Sequence, residues 1–535
     1  MRYGAPTLLV LVLGVCFLGC GGGGTAVEEA PANVEEAPAD VGAPPEGGGP
    51  PPRWIVAATE MPRGLIRNDA GAAPGYVLFT EFTADKTFLI DRQGRVVHTW
   101  HHELTPLSVY LRDNGNLLGL SRIPEPPNFK AGGVAGYLQE FSWDGELLWE
   151  WKMADANRML HHDIEPLENG NVLAIGWELK TPEEARAAGM RSELIPEQGV
   201  WSEWILELEP RPPNDARIVW EWRVWDHLVQ NYDPDAANFG VISEHPRKLD
   251  VNANATAGAV DEEELAQLKA LGYVPDDAST EDLRSDFLHM NSIDYHPGLD
   301  QIAVSFYEIS GIWILDHTTS TDEAKGSSGG RYGHGGDFLY RWGNPSVYGR
   351  GDASDQKLFN QHQVQWIPEG MENAGNLTVF NNGTERPDGE YSSVVEWAPP
   401  LQADGSYTLP EGSVFGPSDF VWSYVAPERE SFFAPFVSGA ERLANGNTFV
   451  CSGPQGRYFE VTPNGEIVWE YRNPFHGGVE AWMPPGTEAF VYGSFRATKI
   501  PPDHPGLANR ELSPLDPQPE AYVPPPAAPE GAAPN

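Results

Sequence analysis

The sequence predicts an all-β chain folded as a six-bladed β-propeller with insertions on one face, and three observations lead there. First, 57 Gly, 49 Pro and 18 Trp in 535 residues suit many short strands joined by tight turns. Second, one phrase recurs: an apolar strand, a turn holding Asp or Asn and Gly, then a Trp-rich strand. It reads "FLIDRQGRVVHTW", "QEFSWDGELLWEW" and "YFEVTPNGEIVWEY", and more loosely "ILELEPRPPNDARIVWEW". The Asp-Gly and Asn-Gly pairs fit hairpin turns that need positive φ, and the alternation in "GEIVWEY" fits a half-buried strand. Third, a second phrase of short strand, turn and apolar strand recurs. Its copies are "HHELTPLSVYLRDNGNLLGL", "HHDIEPLENGNVLAIGW", "HMNSIDYHPGLDQIAVSF", "QHQVQWIPEGMENAGNLTVF" and "SGAERLANGNTFVCSG", with a weaker sixth in "VEAWMPPGTEAFVYGSF". The two phrases together supply four strands. About six such units around a ring make a propeller, in which each sheet buries its faces against its neighbours.

From the N-terminus, Arg2 precedes "PTLLVLVLGVCFLGC", an apolar run too short to span a bilayer and of signal-peptide length. Phe17-Leu18-Gly19-Cys20 resembles a bacterial lipobox, so residues 1–20 are expected to be a lipoprotein signal peptide with Cys20 the lipidated residue. That places the protein in the bacterial cell envelope, lipid-anchored, periplasmic or at the outer membrane. After cleavage only Cys20 and Cys451 remain, so no disulfide framework is expected. Residues 21–53 are rich in Gly, Pro, Ala and Glu, have little to bury, and read as a disordered tether.

The propeller domain is expected over 54–512. "GYVLFT", near residue 78, is expected to add an outer strand to the last blade and close the ring. Insertions interrupt the repeat near 179–200 and 227–286. The second contains "DEEELAQLKALGYV", whose Leu265, Leu268 and Leu271 share a helical face. A small cap over one face of the propeller is expected, with packing filler as the alternative. Residues 513–535 read as a disordered Pro-rich tail. The formal charge of −42, from 77 acidic and 35 basic residues, repels phosphate backbones and excludes nucleic acid as a partner. Membrane contact is expected through the lipid anchor.

In a propeller the innermost strands surround a channel, and their first residues meet near one mouth. His101-His102, His161-His162, His289 and His362 all stand at the start of the second phrase, so they are expected to converge. Three or four imidazoles could hold zinc, but Asn291 in the same group fits a metal poorly, and no metal or cofactor is expected. Covalent transfer through histidine fits better. Neutral imidazole, with an unperturbed pKa of ~6.5, is abundant near neutral pH and can accept an electrophile.

The ordered set "HHDIEPLENGNVL", "HMNSIDY…DQIAVS", "RWGNP…FNQHQVQW…GNLTVFNNG", "EYSSVVEW" and "RLANGNTFVCSGPQGRYFEVTPNGEIVWEY" resembles the bacterial arylsulfate sulfotransferases, over about residues 80 to 500. The resemblance implies a six-bladed propeller that moves a sulfuryl group from a phenolic sulfate ester to a phenol acceptor. It implies ping-pong transfer through a sulfohistidine, without a nucleotide sulfate donor, metal or cofactor. It assigns the nucleophile to His362, places His289 and Asn291 on the sulfuryl oxygens and leaving group, and makes His162 a further channel histidine oriented by Asp163.

Two departures stand out. The family places an arginine shortly after the "HxNS" strand, where this chain has Phe306-Tyr307, so Tyr307 stands against the sulfuryl group. Arg386, Arg457 or Arg496 is then the candidate replacement cation. The usual "QHD" reads Gln361-His362-Gln363 and lacks its carboxylate. A lipid-anchored propeller without catalysis, serving as a binding or scaffold module, is the alternative.

Overall fold

Each blade is an antiparallel meander of four strands whose alternate residues face the neighbouring blades. The computed structural model of the protein describes residues 61–82, 84–253, 262–270, 274–475 and 492–521, which form six such blades. In blades two to six the innermost strands are Pro106–Leu111, Arg158–Pro166, Met290–His296, His362–Trp366 and Gly439–Arg442. They open the copies of the second phrase and lie beside one another around the channel. Polar side chains tie those of blades three, four and five together. Asp163 accepts from the Ile293 amide, Ser292 from Val364, and Asp294 from Trp366 at 2.7 Å.

Ring closure differs from the expectation. Tyr76–Thr80, in "GYVLFT", is the second strand of blade one, and the C-terminal Ala497–Ile500 pairs with it as that blade's innermost strand. The outer addition to the last blade is Gly64–Asn68, a fifth strand paired with Ile467–Arg472. Hydrophobic alternation says which side chains a strand buries, not which neighbour it pairs with. The weak sixth copy of the second phrase falls mostly outside the described residues.

The hairpin turns are also built differently. In "WDGE" and "PNGE" only Gly145 and Gly465 take positive φ, 85° each, and the ladder slips one register beside both turns. These are type I turns ending in a glycine bulge, not the double positive-φ turn that Asn-Gly alone would indicate.

The recurring tryptophans explain the first phrase. The fourth strand of each blade carries an indole whose N–H donates to a carbonyl of the next blade. The pairs are Trp100 to Ser142, Trp149 to Asp215, Trp222 to Gly336, Trp342 to Pro417, Trp422 to Pro463 and Trp469 to Arg92. The distances run from 2.8 Å for Trp149 to 3.2 Å for Trp100. A buried indole needs a partner for its one polar hydrogen, and here the partner is the adjacent blade. These aromatic rings are therefore blade core.

The two insertions bind each other. The first contains the helix Pro182–Ala187 and the second the helix Thr280–Ser285, each opened by a capping box. Gln198 donates to Asp282 and Ser285, both at 3.0 Å, and Asn252 links to Gly189 and Arg191. Leu265, on the helix Glu262–Ala270, is buried against Val274 and Ala278 beside Leu268, while Leu271 lies outside the described residues. The second insertion ends at Asp286, which faces the channel histidines, so it is more than filler.

The chain after blade one's inner strand also departs from expectation. Leu515 donates to the Val96 carbonyl at 2.9 Å, and the Gln518 amide bonds both backbone groups of Val96. The first part of the expected tail thus covers the outer edge of blade one, which would otherwise offer unpaired backbone groups. The signal peptide, the tether and Cys20 lie outside the described residues.

Candidate active site

Local backbone irregularity aims the channel histidines. In blade three, His161, His162 and Asp163 oppose the single residue Ile175, because Leu160 pairs with Gly176 and Ile164 with Ala174. In blade four Asn291 is the extra residue between Met290 and Ser292, and blade five slips between His362 and Gln365. His162 and His289 both have φ of 52°, Asn360 has 54° and Gln363 has 53°. Left-handed backbone at such residues costs about 1–3 kcal/mol each and commonly marks functional sites, as do bulges that re-aim a side chain. His162 also needs a glycine opposite it. A Cβ on Gly133 would fall 2.2 Å from the imidazole.

His162, His289, His362 and Asn291 come together in a buried group, of which His289 is the most exposed at 7%. The rings of His162 and His289 lie 4.3 Å apart, and the Tyr307 ring lies 5.3 Å from those of both His289 and His362. Tyr307 therefore lies as an aromatic ring between His289 and His362. Asn291 donates to the Gln361 carbonyl at 2.7 Å, and its Oδ1 has no hydrogen-bond partner among the described residues.

His362 is held in one tautomer. Asn382 spends its amide nitrogen on the carbonyls of Ala434 and Val437, so its oxygen accepts from His362 Nδ1 at 2.8 Å. His362 Nε2 thus carries the lone pair, which accepts the Val437 amide hydrogen at 3.1 Å. Burial lowers the His362 pKa to about 3 against the opposing Asn382 bond, with the charges of His289 and Arg496 adding to the fall. The imidazole is neutral, with its lone pair at Nε2. Asn382 does the work expected of the residue after the histidine, and Gln363 instead packs its side chain over Gly439.

His289 is the imidazole of the group whose protonated form is favoured. Burial pulls its pKa down, but Asp286, through charge and a 2.5 Å hydrogen bond to Nδ1, together with Glu308 and Glu203, raises it above the ordinary value. Asp286 is held in turn by the Trp177 indole at 3.1 Å. His162 stays neutral, because burial and then His289, His161, His362 and Arg496 all oppose its protonation. Its Nδ1 lies 2.8 Å from His161 Nδ1, and its Nε2 has no hydrogen-bond partner among the described residues.

Other expected placements are corrected. Asp163 does not orient His162. It accepts from Tyr110, from Arg496 and from the Ile293 amide. Arg496 reaches this carboxylate at 2.5 Å with Nη1, and its buried Nε and Nη2 have no partner among the described residues. Its charge is felt at both His162 and His362. Arg386 instead donates to Tyr391 and Ser393 and lines a separate cavity of about 210 Å³ with Lys357 and Phe359. Arg457 pairs with Glu470 on the outer part of blade six. His102 bonds Thr87 and packs on Phe141, and His101 lies exposed at the end of an outer strand. That pair precedes its inner strand by several residues, so it falls short of the channel.

Fold and site together define a six-bladed propeller whose channel gathers His162, His289 and His362, with a neutral imidazole at His362 and a pKa raised above its ordinary value at His289. The chain belongs to the arylsulfotransferase family, whose sequence profile matches residues 64–473, and is an arylsulfate sulfotransferase of a family that implies phenolic substrates. No curated protein sequence matches it as a relative. Among solved structures it is similar to a protein of unknown function from Bacteroides caccae, with 11% identity over 80% of this chain and 99% of that one and a TM-score of 0.39. The β-propeller domain of Cps50 (Swd1) from Myceliophteria thermophila shows 8% identity over 78% and 91%, with a TM-score of 0.35. A catalytically inactive virginiamycin B lyase from Staphylococcus aureus shows 8% over 78% and 90%, with a TM-score of 0.31.

Proposed function

We propose that the protein transfers a sulfuryl group from a phenolic sulfate ester to a phenol through a covalent adduct on His362 Nε2. The observation that carries this is the fixed tautomer of His362, with Nδ1–H tied to Asn382 and the Nε2 lone pair facing a single weak donor. Approach of the sulfur replaces the Val437 hydrogen bond. The displacement is in line, with charge spread over three equatorial oxygens, so catalysis rests on positioning and donors more than on covalent help.

The donors are the His289 imidazolium, the second Asn291 amide hydrogen and the free edge of Arg496. Arg496 compensates for the arginine that Tyr307 replaces. Phenolate, with a conjugate acid pKa of ~10, is a tolerable leaving group when an imidazole protonates it. In the second half-reaction the acceptor phenol attacks the sulfohistidine and regenerates His362.

The N-terminal sequence supports a location as well: export, lipidation at Cys20, and a propeller held in the cell envelope on the 21–53 tether.

Mixing the protein with a chromogenic aryl sulfate should release a burst of one phenolate per chain and add the mass of one sulfuryl group. Both are expected to vanish in His362→Ala while folding persists. Steady turnover in wild type with no adduct at any time would reject the covalent route.

A further inference from the structure

We propose that His161 and Glu203 form a proton relay through which His162 Nε2 serves alternately as acid and base. This rests on the sulfuryl-transfer reading above. His161 lies between the other two: its Nδ1 is 2.8 Å from His162 Nδ1, and its Nε2 is 3.0 Å from Glu203 Oε2. Its ring is stacked on Trp177 at 4.0 Å and 14°, which fixes both nitrogens in place. The other Glu203 oxygen accepts the Met290 amide at 2.7 Å, so Oε2 is left to face His161.

Two nitrogens in contact must be one donor and one acceptor, and that rule leaves the chain two neutral-imidazole arrangements. In one, Glu203 is protonated and donates to His161 Nε2, His161 Nδ1–H donates to His162 Nδ1, and His162 Nε2 carries a hydrogen. In the other, Glu203 is a carboxylate, His161 Nε2–H donates to it, His162 Nδ1–H donates to His161, and His162 Nε2 is a bare lone pair. The two differ by one proton, and neither contains an imidazolium.

The surroundings select this behaviour. Burial, with His289, holds His161 down to about 3 against Asp286 and the Gly176 carbonyl, and burial pushes His162 well below its ordinary value, with His289, His161, His362 and Arg496 as further opposing groups. Burial, then Asp286, raises Glu203 well above the usual carboxylate range, against the Met290 amide and His289. A proton arriving at His162 therefore comes to rest on Glu203.

The bookkeeping closes over the catalytic cycle. As the sulfur–oxygen bond of the donor breaks and the His362 Nε2–sulfur bond forms, the departing oxygen takes the hydrogen on His162 Nε2. The His161 and Glu203 protons each move one place along, leaving a carboxylate. When the acceptor attacks, its hydroxyl proton enters at His162 Nε2 and the chain shifts back. His162 is the catalytic residue here. His161 and Glu203 act through it and are positioning residues.

Glu203→Gln tests the relay. The Gln oxygen keeps the Met290 amide bond and its nitrogen donates to His161 Nε2, which locks His162 Nε2 as a donor with no store behind it. The burst with 4-nitrophenyl sulfate, whose leaving group needs no proton, should fall far less than transfer does, by only what the lost Glu203 charge costs the neighbouring His289. Transfer to unactivated phenols should fall at least about 100-fold, recovering as the acceptor becomes more acidic. Equal losses in burst and transfer, or a flat dependence on acceptor acidity, would overturn the relay. If the variant does not fold, nitrogen-15 histidine spectra of the wild type decide. His162 should pass from the Nε2–H to the Nδ1–H tautomer as pH rises without becoming imidazolium, and a tautomer that does not change with pH refutes the proposal. Absence of any burst in wild type would instead count against the sulfohistidine itself.

Discussion

Replacing Asp286 with Asn exchanges one oxygen for nitrogen and removes a full charge 2.5 Å from His289 Nδ1. Asn keeps an oxygen for the Trp177 indole and presents its amide nitrogen to His289, so the shape is conserved. A unit charge pair at ~4 Å is worth about 4 kcal/mol even at an effective dielectric constant near 20. With it gone, the burial that already opposes protonation acts on His289 with only Glu308 and Glu203 to resist, and the imidazole becomes neutral. Losing one charged donor to the transferring group should lower kcat by about 10²- to 10³-fold, or roughly 3–4 kcal/mol of barrier. The pH profile gives the sharper signature. Wild type should hold its rate up to the raised His289 pKa, above the ordinary ~6.5, while the variant should gain rate only towards acid below that value. Initial rates of transfer from a chromogenic aryl sulfate to phenol, across about pH 5 to 9, measure both. A variant with wild-type kcat and an unshifted alkaline limb would show that His289 need not be charged.

Three further outcomes are expected. His317 joins blades three and four through Glu207 and Asp300; burial lowers its pKa, but those carboxylates raise it to about 9. A raised pKa adds stability that is fully present below the unfolded value of ~6.5 and lost as pH climbs through the folded one, here of order 3 kcal/mol. Urea unfolding at several pH values should show that alkaline loss in wild type and a flatter curve in His317→Gln. Arg496→Met strands Asp163, whose side chain is 0% exposed, and should cost about 3–5 kcal/mol of stability and raise KM for aryl sulfate at least about tenfold; the double variant with Asp163→Asn should recover stability but not KM. In a bacterial host, Cys20→Ala should abolish incorporation of labelled fatty acid and release the protein from membranes, and unchanged labelling would exclude Cys20 as the anchor.

The blade count, the tryptophan-rich strands and the convergence of His162, His289 and His362 were legible because each is periodic, and a period survives insertions. What escaped was relational. Asp286 lies three residues before His289, but as the end of an insertion it had no repeat to mark it. Glu203 sits inside a blade strand, where a charged residue reads as solvent-facing, yet it is 0% exposed beneath His161. Asn382 follows an inner hairpin 20 residues after His362, and only the ladder pairing His362 with Phe380 brings it close. Arg386 and Arg496 are indistinguishable by residue type. One lies on an outer cavity and the other directly before the strand that closes the ring.

That last position ties activity to the completion of synthesis. The strand that pairs with Tyr76–Thr80 on its inner side is Ala497–Ile500, made after every other blade strand, and Arg496 immediately precedes it. At about 5–20 residues per second, synthesis alone separates the two edges of this pair by roughly 20–80 s. A chain broken off anywhere in that interval has neither a closed channel nor its guanidinium. If Arg496 binds the sulfuryl group as proposed, chains that end before it are expected to be inert towards sulfate esters rather than partly active.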